Sequence, residues 1–403
     1  MSKYVSNVYR DREARVCAPY YKPIPAVIER AEGVWMWDVE GRKYLDMMSA
    51  YSAVSQGHLH PRIIKVIEEQ MRVLTLTSRA FHTDKLGAFL QKLCDISGME
   101  MAAPLNTGAE AVELAIKAAR RWGYHTKGIK HNEAEIVVAN NNFHGRTTTI
   151  ISFSTERAYR YQFGPFTPGF KAIPFGDADA LEAVITPNTC AFLVEPIQGE
   201  AGIVVPPEGW LKRVREICTK NNVLLILDEI QSGLGRTGKC FAFEHEGIAP
   251  DGLILGKALG GGFLPVSAFL SSREVMELMD PGSHGSTFGG NPLAAVVGLE
   301  AINIILDEKL AERSAKEGAY FLEKLRAINS PLIKEVRGRG LWIGMEIQHA
   351  TARAVCERLM EKGLLSKETH ETVVRFAPPL VIERKELDWA LEQVEATLRE
   401  LEG

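Results

Sequence analysis

The sequence predicts an α/β protein with a large domain on a mostly parallel sheet and a smaller α+β domain. Three observations carry this. The chain has 403 residues, more than one ordinary core fills, so two domains are expected. From about Pro61 to Lys362, helical patterns alternate with short apolar strands, as βα units require. After about Asn329 the texture changes to strand, amphipathic helix, strand and terminal helix.

Taken in order, the first forty residues read as an arm and a small hairpin. Gly33–Gly41 alternates apolar and polar residues and turns at Glu40-Gly41. Expected strands are Glu135–Ala139, Cys190–Glu195, Val223–Asp228, Gly252–Leu255 and Val266–Leu270. Expected helices are Arg62–Leu74, Ala109–Trp122, Gly209–Asn221 and Leu293–Leu310. Asn291-Pro292 suits the start of the last, with Asn as cap and Pro at the first helical position. Beyond it come a strand at Gly340–Ile347, a helix, a strand at Val373–Phe376 and a helix from about Lys385.

Composition excludes several classes. Hydrophobic content of 46% and charged content of 24% are ordinary for a globular protein. A net charge of −4 gives no reason to expect nucleic-acid or membrane partners. The six cysteines are scattered, which indicates neither a zinc site nor a disulfide framework and suits a reducing compartment. No stretch is apolar and long enough to span a membrane. The N-terminal stretch from Met1 lacks the apolar core of a signal peptide, so a cytoplasmic location is expected.

The chemistry is legible in one pair. Asp228 ends the apolar run Val223–Leu227, and Lys257 follows 29 residues later in Leu255-Gly-Lys-Ala-Leu-Gly-Gly-Gly262. Pyridoxal phosphate (PLP) chemistry needs a lysine amine to form a Schiff base with the cofactor aldehyde. It also needs a carboxylate to keep the pyridine nitrogen protonated. Either residue alone reads as a strand-end acid or a surface lysine; together they point to PLP. Asn106-Thr-Gly108 opens a helix whose N-terminus could hold the cofactor phosphate, although Thr107 and Glu110 equally fit a capping box. Asn142-Phe-His-Gly-Arg146 follows a strand, where Phe143 could stack on a flat ring and Arg146 could grip a carboxylate. Glu195 and Glu200 lie at another strand end and read as site residues. The loop His284–Asn291 carries two hydroxyls, Ser286 and Thr287, suited to a phosphate. Gly233-Leu-Gly-Arg-Thr-Gly238 matches a dinucleotide-binding pattern, but no sustained helix follows it and the match is read as chance. His58-Leu-His60 reads as a turn before Pro61 rather than a metal site, and no metal is expected.

These segments together resemble the class III (ω-amine) PLP-dependent aminotransferases, from about Tyr20 to the C-terminal helix. Tyr21–Pro25, Ser49–His58, Leu74–Phe81 and Arg375–Leu380 are most similar to the ornithine δ-aminotransferase branch. The resemblance implies the PLP type I fold, with a mostly parallel seven-stranded-type sheet, and a homodimer whose active sites lie at the interface. It implies an arm and hairpin over 1–45 that packs with the small domain, a PLP-binding domain over 46–290, and a linking helix and small domain over 291–403. By position, Lys257 forms the Schiff base, Asp228 pairs with the pyridine nitrogen, Gln231 contacts the ring hydroxyl and Phe143 stacks on the ring. Thr107, Gly108 and Ala109 hold the phosphate, with Ser286 and, in trans, Thr287. Tyr21, Tyr51, Arg146, Glu195, Glu200 and Arg375 line the substrate pocket.

The implied reaction converts L-ornithine and 2-oxoglutarate to glutamate 5-semialdehyde and glutamate. One site must then take ornithine by its δ-amine and glutamate by its α-amine. Arg146 can hold the far carboxylate of either molecule. Arg375 can bind glutamate's α-carboxylate, and Glu200 can mask it when ornithine is bound. Tyr21 can accept a hydrogen bond from ornithine's free α-ammonium group. The alternatives are an ω-aminotransferase for N-acetylornithine or 4-aminobutyrate, a nicotinamide-dependent dehydrogenase, and a binding protein on the same fold.

Overall fold

The structure is a computed structural model that describes residues 3–402; Met1, Ser2 and Gly403, at the ends of the stretches read above, lie outside the described residues. Its largest sheet has seven strands. They are β1 (Met101–Leu105), β2 (Glu135–Ala139), β3 (Phe170–Ile173), β4 (Thr189–Val194), β5 (Leu224–Asp228), β6 (Gly252–Leu255) and β7 (Ser267–Ser271). The order is β1-β7-β6-β5-β4-β2-β3. Neighbours from β6 to β3 pair in parallel, and β7 runs antiparallel to both β6 and β1.

Alternate side chains of each strand enter different cores. Ile136 and Val138 join Ala191, Leu193 and Ile226 against α1 (Gly108–His125). Val137 and Ala139 join Phe192, Val194, Leu225 and Leu227 against α2 (Trp210–Lys220) and α3 (Pro292–Asp307). This two-faced burial is why the central strands read as unbroken apolar runs, and every residue of β4 to β7 is buried.

Two four-stranded sheets complete the fold. One takes Ile28–Glu32, Trp35–Asp38 and Lys43–Asp46 with Leu364–Leu365. Leu364–Leu365 pairs in parallel with Lys43–Asp46, which ties the N-terminal hairpin to the C-terminal part of the chain. The other contains Ile333–Gly338, Ile343–Ile347, Val373–Phe376 and Lys367–Thr369 and is antiparallel throughout.

Several expectations are corrected in detail. The N-terminal arm is a helix, Lys3–Val16. The helix expected over Leu293–Leu310 ends at Asp307; Lys309 turns left-handed, with φ 50°, and a new helix runs Leu310–Ala327. The strand expected from Gly340 starts at Ile343, because Gly340 turns at φ 59° against Arg236 and Thr237. Asn291 does cap α3, its Oδ1 accepting the Ala294 amide at 2.8 Å. Gly233–Gly238 is a loop of turns followed only by a short 3-10 turn, Ala242–Glu246. His60 accepts the Arg62 amide at the start of a helix, and His58 bonds Asp46 at 2.8 Å. No helix among the described residues is long and apolar enough to cross a membrane.

Candidate active site

The C-terminal ends of β2, β4, β5 and β6 meet the N-terminus of α1 around a cavity of about 180 Å³. Open α/β sheets bind ligands at this edge, because the chain must leave each strand here and side chains converge. Gly108, Ala109, Phe143, Glu195, Asp228, Gln231 and Lys257 all line it. A wider cleft of about 560 Å³ beside Arg215, Asp251 and Glu274 contains none of these residues.

Asp228 closes β5. Its Oδ1 accepts the Ile230 amide at 3.1 Å and its Oδ2 meets His144 Nδ1 at 2.7 Å. Burial would lower His144's pKa, but the bond to Asp228 and its charge prevail and raise it. His144 and Asp228 thus form a buried pair at the cavity wall. His144 lies in the loop after β2, where the sequence carries no signal for its partner 84 residues away.

Glu195 closes the next strand. Its two oxygens accept the amides of Phe143 at 2.9 Å and Gly199 at 3.1 Å, and burial pushes its pKa to about 7. Although it borders the cavity, its bonds go to the loops that carry Phe143 and Glu200.

Lys257 follows β6 with φ 45°, in a turn that aims its amine into the cavity. Burial lowers the amine to about 8, only partly offset by the nearby Glu200 carboxylate. An amine so tuned loses its proton far more readily than a surface lysine.

The capping-box reading of Asn106-Thr-Gly108 holds. Thr107 accepts the Glu110 amide at 3.3 Å, and Glu110 accepts the Thr107 amide at 2.6 Å. This capping box leaves the remaining first-turn amides facing the cavity rim. A Cβ on Gly108 would come within 2.6 Å of Ile230 Cδ1, so any larger residue here would have to displace that side chain. Ser286 Oγ sits 3.0 Å from Asn106 Nδ2 of its own chain, while Thr287 and Phe288 beside it are exposed.

The second half of the site lies above this floor. Arg375, on Val373–Phe376, is 1% exposed. Its Nη2 donates to Glu200 Oε1 at 2.7 Å and to the Gly199 carbonyl at 3.3 Å. Its Nε and Nη1 are buried without a hydrogen-bond partner among the described residues. Burial would raise Glu200's pKa, but Arg375 and Lys257 hold it at about 2. Gln231 donates to Glu200 at 3.2 Å, and its own Oε1 has no hydrogen-bond partner among the described residues. Tyr51 stands with its ring 5.4 Å from the Arg375 guanidinium and 6.0 Å from the Lys257 amine. Arg146 lies 3.9 Å over Tyr159, a residue for which the sequence carried no signal. Tyr21 is 70% exposed at the mouth.

These residues fit PLP. Gly108 opens a helix N-terminus to a phosphate, Phe143 offers a ring face, Asp228 an anion, and Gln231 Oε1 a free acceptor. The partnerless Arg375 nitrogens fit a substrate carboxylate.

Comparison with known proteins agrees. The family described as Aminotransferase class-III matches residues 16–398. The ornithine aminotransferase of Brevibacillus brevis is 57% identical over 398 residues, 99% of each chain. A structure of the ornithine aminotransferase from Toxoplasma gondii, with PLP at partial occupancy in its active site, superposes with a TM-score of 0.97. It is 44% identical and covers 99% of this chain and 95% of its own. The acetylornithine aminotransferase of Elizabethkingia anophelis superposes at 0.89 with 46% identity, covering 98% of this chain and 99% of its own. With a lysine, an acid and a glycine-opened helix end around one cavity, and relatives matching along nearly its whole length, the chain belongs to the PLP-dependent class III aminotransferases.

Proposed function

We propose that this enzyme is an ornithine δ-aminotransferase, moving the δ-amine of L-ornithine to 2-oxoglutarate by ping-pong transamination to give glutamate 5-semialdehyde and glutamate. The observation that carries this reading is the buried Arg375–Glu200 pair, with two Arg375 nitrogens left over. An enzyme for α-amino acids alone gains nothing from masking its carboxylate-binding arginine. One that alternates between an ω-amine and glutamate needs Arg375 hidden in one half-reaction and free in the other. The Glu200 main chain is held by a bond from Thr369 Oγ1 to its carbonyl, so side-chain rotation alone frees the guanidinium.

PLP, when bound, supplies an electron-withdrawing ring and an aldehyde carbon that takes up an amine. Asp228 would hold the proton on the ring nitrogen, Phe143 would cover one ring face, and Gln231 Oε1 would accept from the ring hydroxyl. Thr107, Gly108 and Ala109 would bind the phosphate, helped by Ser286 and by Thr287 of the partner subunit. Lys257 Nζ would hold the cofactor through its aldehyde carbon and would move the proton on the substrate's amine-bearing carbon. Arg146 anchors the far carboxylate. Tyr21 and Tyr51 line the distal pocket, and Tyr21 favours a free α-ammonium over an acetamide. Glu195 supports the pocket by holding the loop that bears Glu200.

The same reading makes residues 46–290 the cofactor-binding domain. The arm and hairpin of 1–45 join the small domain of 291–403, and the pairing of Leu364–Leu365 with Lys43–Asp46 supports that division. A homodimer with shared sites is supported by the exposed Tyr21, Phe81, Phe163 and Phe288, whose burial by a second copy would remove apolar surface from water. Buried free thiols at Cys190, Cys218 and Cys356 suit a cytoplasmic enzyme. Turnover with ornithine, N-acetylornithine and 4-aminobutyrate, measured side by side, tests the proposal. Ornithine should be the preferred donor, and preference for either of the others would replace this reading.

A further inference from the structure

Arg236 belongs to the Gly233–Gly238 loop, which matches a nucleotide-binding pattern but takes no part in the site described so far. It is 0% exposed. Its Nη1 donates to the carbonyls of Leu341 at 2.9 Å and Pro378 at 2.6 Å. Its Nη2 donates to Ser49 Oγ at 3.1 Å and Ser55 Oγ at 3.0 Å. None of these acceptors is charged, and burying a cation against neutral oxygens is expensive. Arg236 is therefore a costly way to fill a core, and the segments it joins explain its use.

Ser49 begins a run in which Ser49, Ala50, Tyr51 and Ser52 have φ of 42°, 48°, 60° and 72°. Consecutive left-handed residues without glycine are strongly disfavoured and persist only where surrounding contacts impose them. Asp46 Oδ1 accepts the amides of Met48 and Ser49, each at 2.8 Å, and Ser49 Oγ donates to the Ala377 carbonyl at 2.6 Å. Arg236 grips the run from its other side. The run presents Tyr51 to Arg375, while Ala377 and Pro378 directly follow the strand that carries Arg375. One guanidinium thus holds the turn bearing Tyr51 and the chain leaving Arg375.

We propose that Arg236 is a positioning residue that fixes Tyr51 relative to Arg375 by clamping the left-handed turn Ser49–Ser52 to the segment after Arg375. The inference rests on the placement of Tyr51 in the substrate pocket. A double-mutant cycle on the holoenzyme tests it. Ser49→Ala, which removes one of the four acceptors, and Arg236→Lys are each made alone and with Tyr51→Ala, and kcat/KM for ornithine is measured with Tm. Ser49→Ala alone should lower kcat/KM about tenfold, the scale of a lost bond to a charged group. In the Tyr51→Ala background the further loss should be under about twofold, because the residue being positioned is gone. The Tm decrease should be the same in both backgrounds. Arg236→Lys should follow the same pattern with a larger first loss; if it does not fold, Ser55→Ala takes its place. Equal losses of kcat/KM in both backgrounds, or no loss in either, would show that Arg236 acts only as a structural staple. If Tyr51→Ala alone leaves kcat/KM unchanged, the pocket assignment of Tyr51 fails first, and the inference with it.

Discussion

At the cofactor end of the site both acids are fully engaged: Asp228 by His144 and the Ile230 amide, Glu195 by two loop amides. At the substrate end, among the described residues, Arg375 keeps two nitrogens without a partner and pairs with one carboxylate, Glu200, which sits on a loop. The first arrangement suits a permanent resident, because groups already fixed need no reorganisation when the reaction begins. The second suits a site visited by two different molecules, where a saturated network would fit only one of them. The unpartnered Arg375 nitrogens mark the changeable part of this pocket, whereas Gln231 Oε1 and His144 Nε2, also unpartnered among the described residues, lie at the cofactor end.

Four substitutions or titrations probe that contrast, beginning with the largest effect. Lys257→Ala should abolish turnover while leaving a folded protein that still binds PLP noncovalently; hydride should then no longer fix the cofactor to the chain. Asp228→Ala should lose roughly 100- to 1,000-fold in activity, as for removal of one preorganised electrostatic group. Near-normal rates would mean that another acid serves the ring nitrogen. Tyr21→Phe should narrow the preference for ornithine over N-acetylornithine by about tenfold, the scale of one lost charge-assisted bond. An unchanged ratio would move that selectivity elsewhere.

The smallest effect concerns pH. Because burial lowers Lys257 to about 8 from 10.5, its neutral, nucleophilic form should predominate above about 8. The rate at which apoprotein captures PLP should climb as pH rises through that value. A midpoint near 10.5 would show an amine unaffected by its surroundings. The sign for stability is the same: the buried charge destabilises the apoprotein fully below about 8, and this is relieved as pH rises towards 10.5.

How much of this was legible in the sequence depended on where each segment lies. Strands β2 and β6 were bounded to the residue, and β4, β5 and β7 within one, because central strands buried on both faces read as apolar runs. The two edge strands were missed. β1 contains Pro104 and two alanines, tolerated because it pairs only with β7. β3, at the other edge, is a four-residue strand with an exposed alanine. The N-terminal helix, rich in charge and largely exposed, offered no apolar stripe to read. Lys257, Asp228 and Gly108 stand out in the sequence because the chemistry proposed for them is tied to strand ends and a helix start. His144, Tyr159 and Arg236 act through partners distant in sequence, and the left-handed turn at Ser49–Ser52 has no glycine to announce it.

The central claim is that Glu200 masks Arg375 for one substrate and releases it for the other. In Glu200→Ala the guanidinium is left open, and single half-reactions with ornithine and with glutamate can be followed in the cofactor spectrum. The account predicts that the glutamate half-reaction speeds up and the ornithine half-reaction slows, so that their ratio shifts by about tenfold or more, the scale of one lost charge-assisted bond. A ratio equal to that of the unsubstituted enzyme would contradict it.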